Sequence, residues 1–224
     1  MRRIVLAFLC LSAAASLRAA SLADEVVAAY GGRAALAKIS AVRETGTVVS
    51  MMRSGTGNTV RTFAFPDRLS VAITYPQSSE LRDVDGARGW QNGKEASGAQ
   101  LDAMALQAAR LNAPRLLAEH AADVKQDGAS KLVVTLPRGL ALALEIDPKT
   151  HYIVHSAGTL TGGMAFETNY SDFRNVGGVV FAFHEENVAG GMATGTTTLT
   201  NVELNPKLDA GAFGPDAAAP RQRS

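Results

Sequence analysis

The feature that most constrains this chain is a two-residue alternation of apolar and polar side chains, repeated in short segments from residue 41 onward. It is sharpest at 140–147, where Leu140, Leu142, Leu144 and Ile146 alternate with Ala141, Ala143, Glu145 and Asp147. A period of two places successive side chains on opposite faces, so such a segment reads as a half-buried strand. Ala41–Met52, Asn58–Phe65, Arg68–Tyr75, Ser79–Val84, Gly89–Gln91, Ser130–Leu136, His151–Leu160, Met164–Phe173, Val179–Ala189 and Thr194–Leu204 share the texture. Turn-forming residues separate them: Gly55–Asn58, Pro66-Asp67, Pro76, Asp85-Gly86, Pro137–Gly139 and Asp147–Thr150. Links this short join antiparallel neighbours, because a parallel crossover needs about a dozen residues or more. The expectation is a mainly β fold with some α: one antiparallel sheet of about ten to eleven strands, curved because a sheet this long does not stay flat.

Two segments break the pattern. In 22–39, Leu22, Val26, Ala29, Ala34, Leu36 and Ile39 recur near helical spacing, and Gly31-Gly32 interrupts them. In 100–119, Leu101, Met104, Ala105, Ala108 and Leu111 form one apolar stripe, and Pro114 splits the segment into two short helices. The curved sheet has an apolar face that needs a cover. The amphipathic 100–119 segment is the obvious lid, with the first helix as a second cap.

The first 23 residues read as an address. Arg2 and Arg3 precede an apolar run from Ile4 to Leu17, and Ser21-Leu22-Ala23 has the small-x-small pattern that signal peptidase cuts; a cut after Ala20 fits equally. The run is too short to span a bilayer, and Arg18 interrupts it. The expected organisation is therefore a signal peptide over 1–23, one domain over 24–214 and a disordered tail over 215–224, exported to the periplasm. The single cysteine, Cys10, lies inside the leader. That excludes a disulfide scaffold, a cysteine-rich zinc module and thiol catalysis. With 22 Lys+Arg against 21 Asp+Glu, nothing suggests nucleic acid.

Motifs for catalysis or nucleotide binding do not occur. There is no G-x-S-x-G, no Gly-rich phosphate loop and no dinucleotide fingerprint. His151 and His155 share a strand face but lack further metal ligands, so they read as solvated polar residues. The carboxylate pairs Asp83/Asp85, Glu145/Asp147 and Glu185/Glu186 read as solvated too, since charged residues mostly stay outside. No catalytic residue, cofactor or metal is expected.

What remains is apolar alternation, which serves equally as an ordinary core or as the lining of a groove between sheet and lid. The candidate ligand-binding residues are Phe63, Phe65, Leu69, Val71, Ile73, Trp90, Leu101, Met104, Leu111, Leu140, Leu142, Leu144, Met164, Phe166, Phe181 and Phe183.

Several short motifs fall in a recognisable order. Pro66-Asp67-Arg68 leads into Leu69–Tyr75, and Asp85-Gly86-Ala87-Arg88-Gly89-Trp90 looks like a D-G-x-x-x-W hairpin. Tyr170-Ser171-Asp172-Phe173-Arg174-Asn175-Val176-Gly177-Gly178-Val179 looks like Y-x-D-[FY]-x-x-V-x-G-V, followed by Asn201–Asn205 and Phe213-x-Pro215. Over about residues 24–215 the chain resembles the periplasmic outer-membrane lipoprotein carrier and lipoprotein-sorting (LolA/LolB-like) superfamily. The resemblance implies a half-open barrel of about eleven strands, capped by helices, whose concave apolar surface holds acyl chains. The family's carrier has a lid-latching arginine just before the turn proline; here that position is Phe65, with Arg61 and Arg68 nearby. Three readings follow. The first is a periplasmic, monomeric, non-enzymatic binding or carrier protein for a lipid, a lipoprotein acyl chain or another hydrophobic ligand, with transient envelope-protein contacts and no nucleic acid or transmembrane span. The second is a non-catalytic envelope interaction module with a filled core, and the third an envelope hydrolase. An open cavity or a solid interior separates the first two.

Overall fold

A computed structural model describes residues 20–160, 162–209 and 211–217. The expected leader therefore lies almost wholly outside the described residues, as do Cys10 and the last seven residues.

Helices α1 (Leu22–Ala29) and α2 (Arg33–Ala37) open the chain, divided at Gly31-Gly32. Ser21 caps α1 through a reciprocal capping box with Asp24, and Leu22, Val26 and Val27 are buried. A leader cut after Ala23 would remove that cap and the buried Leu22, whereas a cut after Ala20 keeps both. The first strands are β1 (Ala41–Ser50), β2 (Thr56–Ala64), β3 (Arg68–Thr74), β4 (Ser79–Asp85), β5 (Arg88–Gln91) and β6 (Lys94–Glu95). Two helices interrupt, α3 (Gly98–Leu111) and α4 (Ala113–Glu119), with Pro114 in the first turn of α4, where a missing backbone donor costs little. The chain then forms β7 (Val124–Gln126), β8 (Lys131–Thr135), β9 (Ala141–Ile146), β10 (Ile153–Thr159), β11 (Ala165–Val176), β12 (Val179–Ala189) and β13 (Met192–Leu204).

All of these strands join one 13-stranded sheet, ordered β6-β5-β4-β3-β2-β1-β13-β12-β11-β10-β9-β8-β7. Every pairing is antiparallel, and the sheet is curved but not closed. The two short edge strands, β6 and β7, take the count above the expected ten to eleven. Each has two or three residues, too few to show alternation, and each blunts an open edge. The first strand of the sequence lies in the middle. One limb runs from it through β2–β6, the other through β13–β7.

The inner face packs on the helices. Helix α3 bridges the two limbs and rests on a glycine from each. A Cβ on Gly89 of β5 would meet Leu101 and Met104, and one on Gly158 of β10 would meet Leu106. Polar ties pin α3 on both sides: Arg82 on β4 donates to Gln107 at 2.9 Å, and Arg138 reaches the buried Asp102 at 2.7 Å from the β8–β9 turn. Helix α4 packs on α1 and α2.

Candidate functional site

Between the inner face, α1, α2 and the α3–α4 junction lies a cavity of about 90 Å³. Leu36, Ile39, Val42, Phe65, Leu111, Ile153, Val179 and Phe181 give it mostly apolar walls. The cavity is smaller than the roughly 150 Å³ that admits one benzene-sized molecule. Its mouth is held by Arg115 of α4. The Arg115 guanidinium lies 4.3 Å from the Phe65 ring centre and donates to the backbone carbonyl oxygens of Ile39 and Leu36. Arg33 of α2 donates to the Ala118 carbonyl of α4 from the other side. The cation thus sits on the helix and the aromatic ring on the turn after β2, at the position where the family resemblance placed an arginine.

The inner end of the cavity is ionic. Glu44, Arg110, Asn112, Tyr170 and Glu185 face it. Behind them the buried Arg61 lies 2.8 Å from Glu44 and 2.8 Å from Glu185, and Arg110 lies 3.3 Å from Glu185. The Tyr170 hydroxyl is 2.7 Å from the Ser156 hydroxyl. Burial opposes the charge on Glu185, but Arg61 and Arg110 overcome it and hold its carboxyl down at about 2. Burial pushes Glu44 above its ordinary value, with Arg61 offsetting only part. For Arg61, burial works against the charge and the two glutamates prevail, raising it. This belt crosses β1, β2, β12 and α3, so it divides the interior. Beyond it the inner face carries further polar groups, including Thr59, Arg82, Thr168 with Asn187, and Thr197.

The structure disperses the sixteen candidate lining residues. Phe65, Leu111 and Phe181 line the cavity. Phe63, Leu69, Val71, Ile73, Leu101, Met104, Leu140, Leu142, Leu144 and Phe183 are buried in the packed interior. Met164 and Phe166 are exposed at the far end of the sheet. Trp90 is on the other face altogether. Gly89 faces α3, so its neighbour Trp90 points outward, opposite Asp83 in the β4–β5 ladder. There it is buried all the same, on a face that the chain beyond β13 crosses. Arg43 donates to the Lys207 carbonyl at 3.1 Å, and Arg68 stacks on Phe213 at 5.1 Å. Arg88 covers Trp90 at 4.9 Å.

Two carboxylates read as solvated are in fact buried: Glu185 in the belt and Asp83 beneath the outer crossing. Burial raises the Asp83 carboxyl to about 6, with Ser70 opposing part of that shift. The belt had a signal in the sequence. Arg61 is in phase with Phe63 and Phe65, Glu44 with Val42, and Glu185 with Phe181 and Phe183. A charge in phase with an apolar stripe faces the interior, and charges of both signs doing so can meet there.

No family model and no curated protein matches the sequence. Among solved structures, a LolA superfamily protein from Nitrosomonas europaea superposes with a TM-score of 0.54 over 87% of this chain and 98% of its own, at 12% identity. A putative outer membrane lipoprotein-sorting protein domain from Vibrio parahaemolyticus superposes at 0.50 over 86% and 94%, at 9% identity. The chain has the LolA-like fold. At identities this low, the LolA-like fold is what the two chains share. Neither match speaks for particular side chains.

Proposed function

We propose that this protein is a periplasmic binding or carrier protein for a lipid, a lipoprotein acyl chain or another hydrophobic ligand, taken up between the curved sheet and helices α3–α4. The observation that carries the reading is the mostly apolar cavity between sheet and helices, with Arg115 of α4 across its mouth. Binding of this kind needs no catalytic group, since each buried CH₂ contributes roughly 0.8 kcal/mol. At about 90 Å³ the cavity is too small for an acyl chain, so uptake requires α4 to swing from the Asn112 junction and Arg115 to leave Phe65. Phe65, Leu111 and Phe181 would then be the first lining residues a ligand meets. The ionic belt would set the depth of the chain and meet any polar end.

One observation favours a second reading. Ten of the sixteen candidate lining residues are packed solid, as in a non-catalytic envelope interaction module with a filled core. Native mass spectrometry decides, on protein exported with its own leader and purified from the periplasm without detergent. A mass excess that extracts as phospholipid or acylated peptide is the expected result. A bare chain mass, with no uptake of added lipid or acyl probe, overturns the carrier reading and leaves the interaction module.

A further inference from the structure

The six large hydrophobic side chains exposed among the described residues all lie at one end of the sheet. Met51 (72% exposed) and Met52 (84%) occupy the β1–β2 turn, just after Val49. Met192 (72%) opens β13, and Met164 (53%) lies in the β10–β11 turn beside Phe166. Backbone bonds link these turns: Met51 donates to the Thr194 carbonyl at 2.9 Å, Gly190 to Ala165 at 2.9 Å and Leu160 to Met164 at 2.9 Å. From β2 to β10 the rim is about 24 Å wide at ordinary strand spacing.

The chemistry of this rim is unusual for a hairpin end. Segments 49–57, 160–166 and 189–196 contain no acid and one basic residue, Arg53, in a chain that is 19% charged. Arg53 is itself paired with Glu80 at 3.3 Å. An exposed apolar patch marks a contact with a protein or a membrane. A protein interface combines aromatic, Met and Arg anchors with hydrogen-bonding groups, and of those anchors the rim offers only its Met and one Phe, Phe166. Here there is no Trp or Tyr, and Arg53 is engaged. The strands behind the rim are paired on both sides, so no edge is offered for strand addition. Tips bearing unbranched apolar side chains, with no acid to repel lipid phosphate, suit a bilayer interface.

We propose that this rim docks on a phospholipid bilayer surface, with Met51, Met52, Met164 and Met192 inserted beneath the headgroups. The rim lies at the opposite end of the strands from the cavity. Strand β1 runs from Val42 at the cavity to Val49 at the rim, about 23 Å. The docking is therefore independent of whether the cavity takes a ligand.

Flotation with phosphatidylcholine vesicles containing a minor fraction of phosphatidylglycerol tests it. The wild-type chain floats with the vesicles. Met52→Asp and Met192→Asp, on separate hairpins and too exposed to affect folding, each lower the bound fraction by about tenfold. Met52→Leu floats like the wild type. Because Arg53 already has a partner, raised salt changes binding by less than about twofold. Met52→Trp adds an emission that shifts to the blue on binding and is quenched by brominated phosphatidylcholine. The proposal is overturned if the wild-type chain stays in the soluble fraction, or if the aspartate variants float as well as it does. It is equally overturned if the wild-type chain self-associates without binding vesicles and the aspartate variants are monomers, which would assign the rim to a second copy.

Discussion

Glu185 and Asp83 lie on the same sheet, and both are almost fully buried. Glu185 faces inward between two arginines, which hold its carboxyl down at about 2. Asp83 faces outward beneath the C-terminal crossing, where burial with only Ser70 to oppose it lifts the carboxyl to about 6. Burial alone penalises charge, whereas burial with well-placed cations selects it. The inner belt thus keeps Glu185 ionised between two buried arginines, and the fold must keep that arrangement intact. The outer site is neutral in acid and strained above it.

Breaking the belt has the largest expected effect. Glu185→Gln leaves Arg61 and Arg110 buried with less than their counter-charge and should cost about 3–5 kcal/mol in urea unfolding. An unchanged midpoint would mean that water, not Glu185, compensates the arginines.

Asp83→Asn should act in the other direction at neutral pH. The folded carboxyl at about 6 lies above its ordinary 3.8, so the stability linked to it is present below about pH 4 and is lost as pH rises through about 6. Removing the charge should stabilise the protein by about 1–2 kcal/mol at pH 8 and do little at pH 4. Thermal melts across pH 4–8 read this directly. Glu44 is raised too and contributes with the same sign, so Glu44→Gln separates the two. Glu185 is lowered from 4.5 to about 2, so its contribution is complete above pH 4.5 and is lost only as pH falls through 2. It adds no slope in that window.

Arg115 is the intermediate case, a cation held by the Phe65 ring, by backbone carbonyls and by Glu119 one turn along α4 at 2.7 Å. Arg115→Ala should cost about 1 kcal/mol. It should also raise hydrogen exchange in α4 well before α3, because α3 is pinned to both limbs. Equal loss of protection in both helices would show that they open as one unit. The smallest effect is spectroscopic. Trp90 stands opposite Asp83, so its emission should titrate with a midpoint near 6 and lose that transition in Asp83→Asn.

Much of the architecture was legible because it rests on local rules. Alternation at 140–147, turn residues between segments, and a proline in the first turn of the second lid helix act over a few residues, and the structure follows them. The motif order pointed to the fold found among solved structures. The site was less legible. The rule that charges stay outside sent Glu185 and Asp83 to the solvent, although the phase of Glu185 with Phe183 placed it indoors. Trp90 had no phase to read, since its strand has only four residues and packs a glycine against α3.

Taken by itself, then, the sequence determined the longer strands, the helices and the antiparallel pairing of strands joined by short turns, because spacing and turn chemistry are properties of neighbours along the chain. Only the tertiary structure decided which face of each strand meets the helices. It alone brought residues as distant as Arg61 and Glu185 to 2.8 Å, and limited the cavity to about 90 Å³. Those outcomes depend on how a curved sheet meets a bridging helix, and on the cost of burying charge unless an opposite charge arrives from elsewhere in the chain.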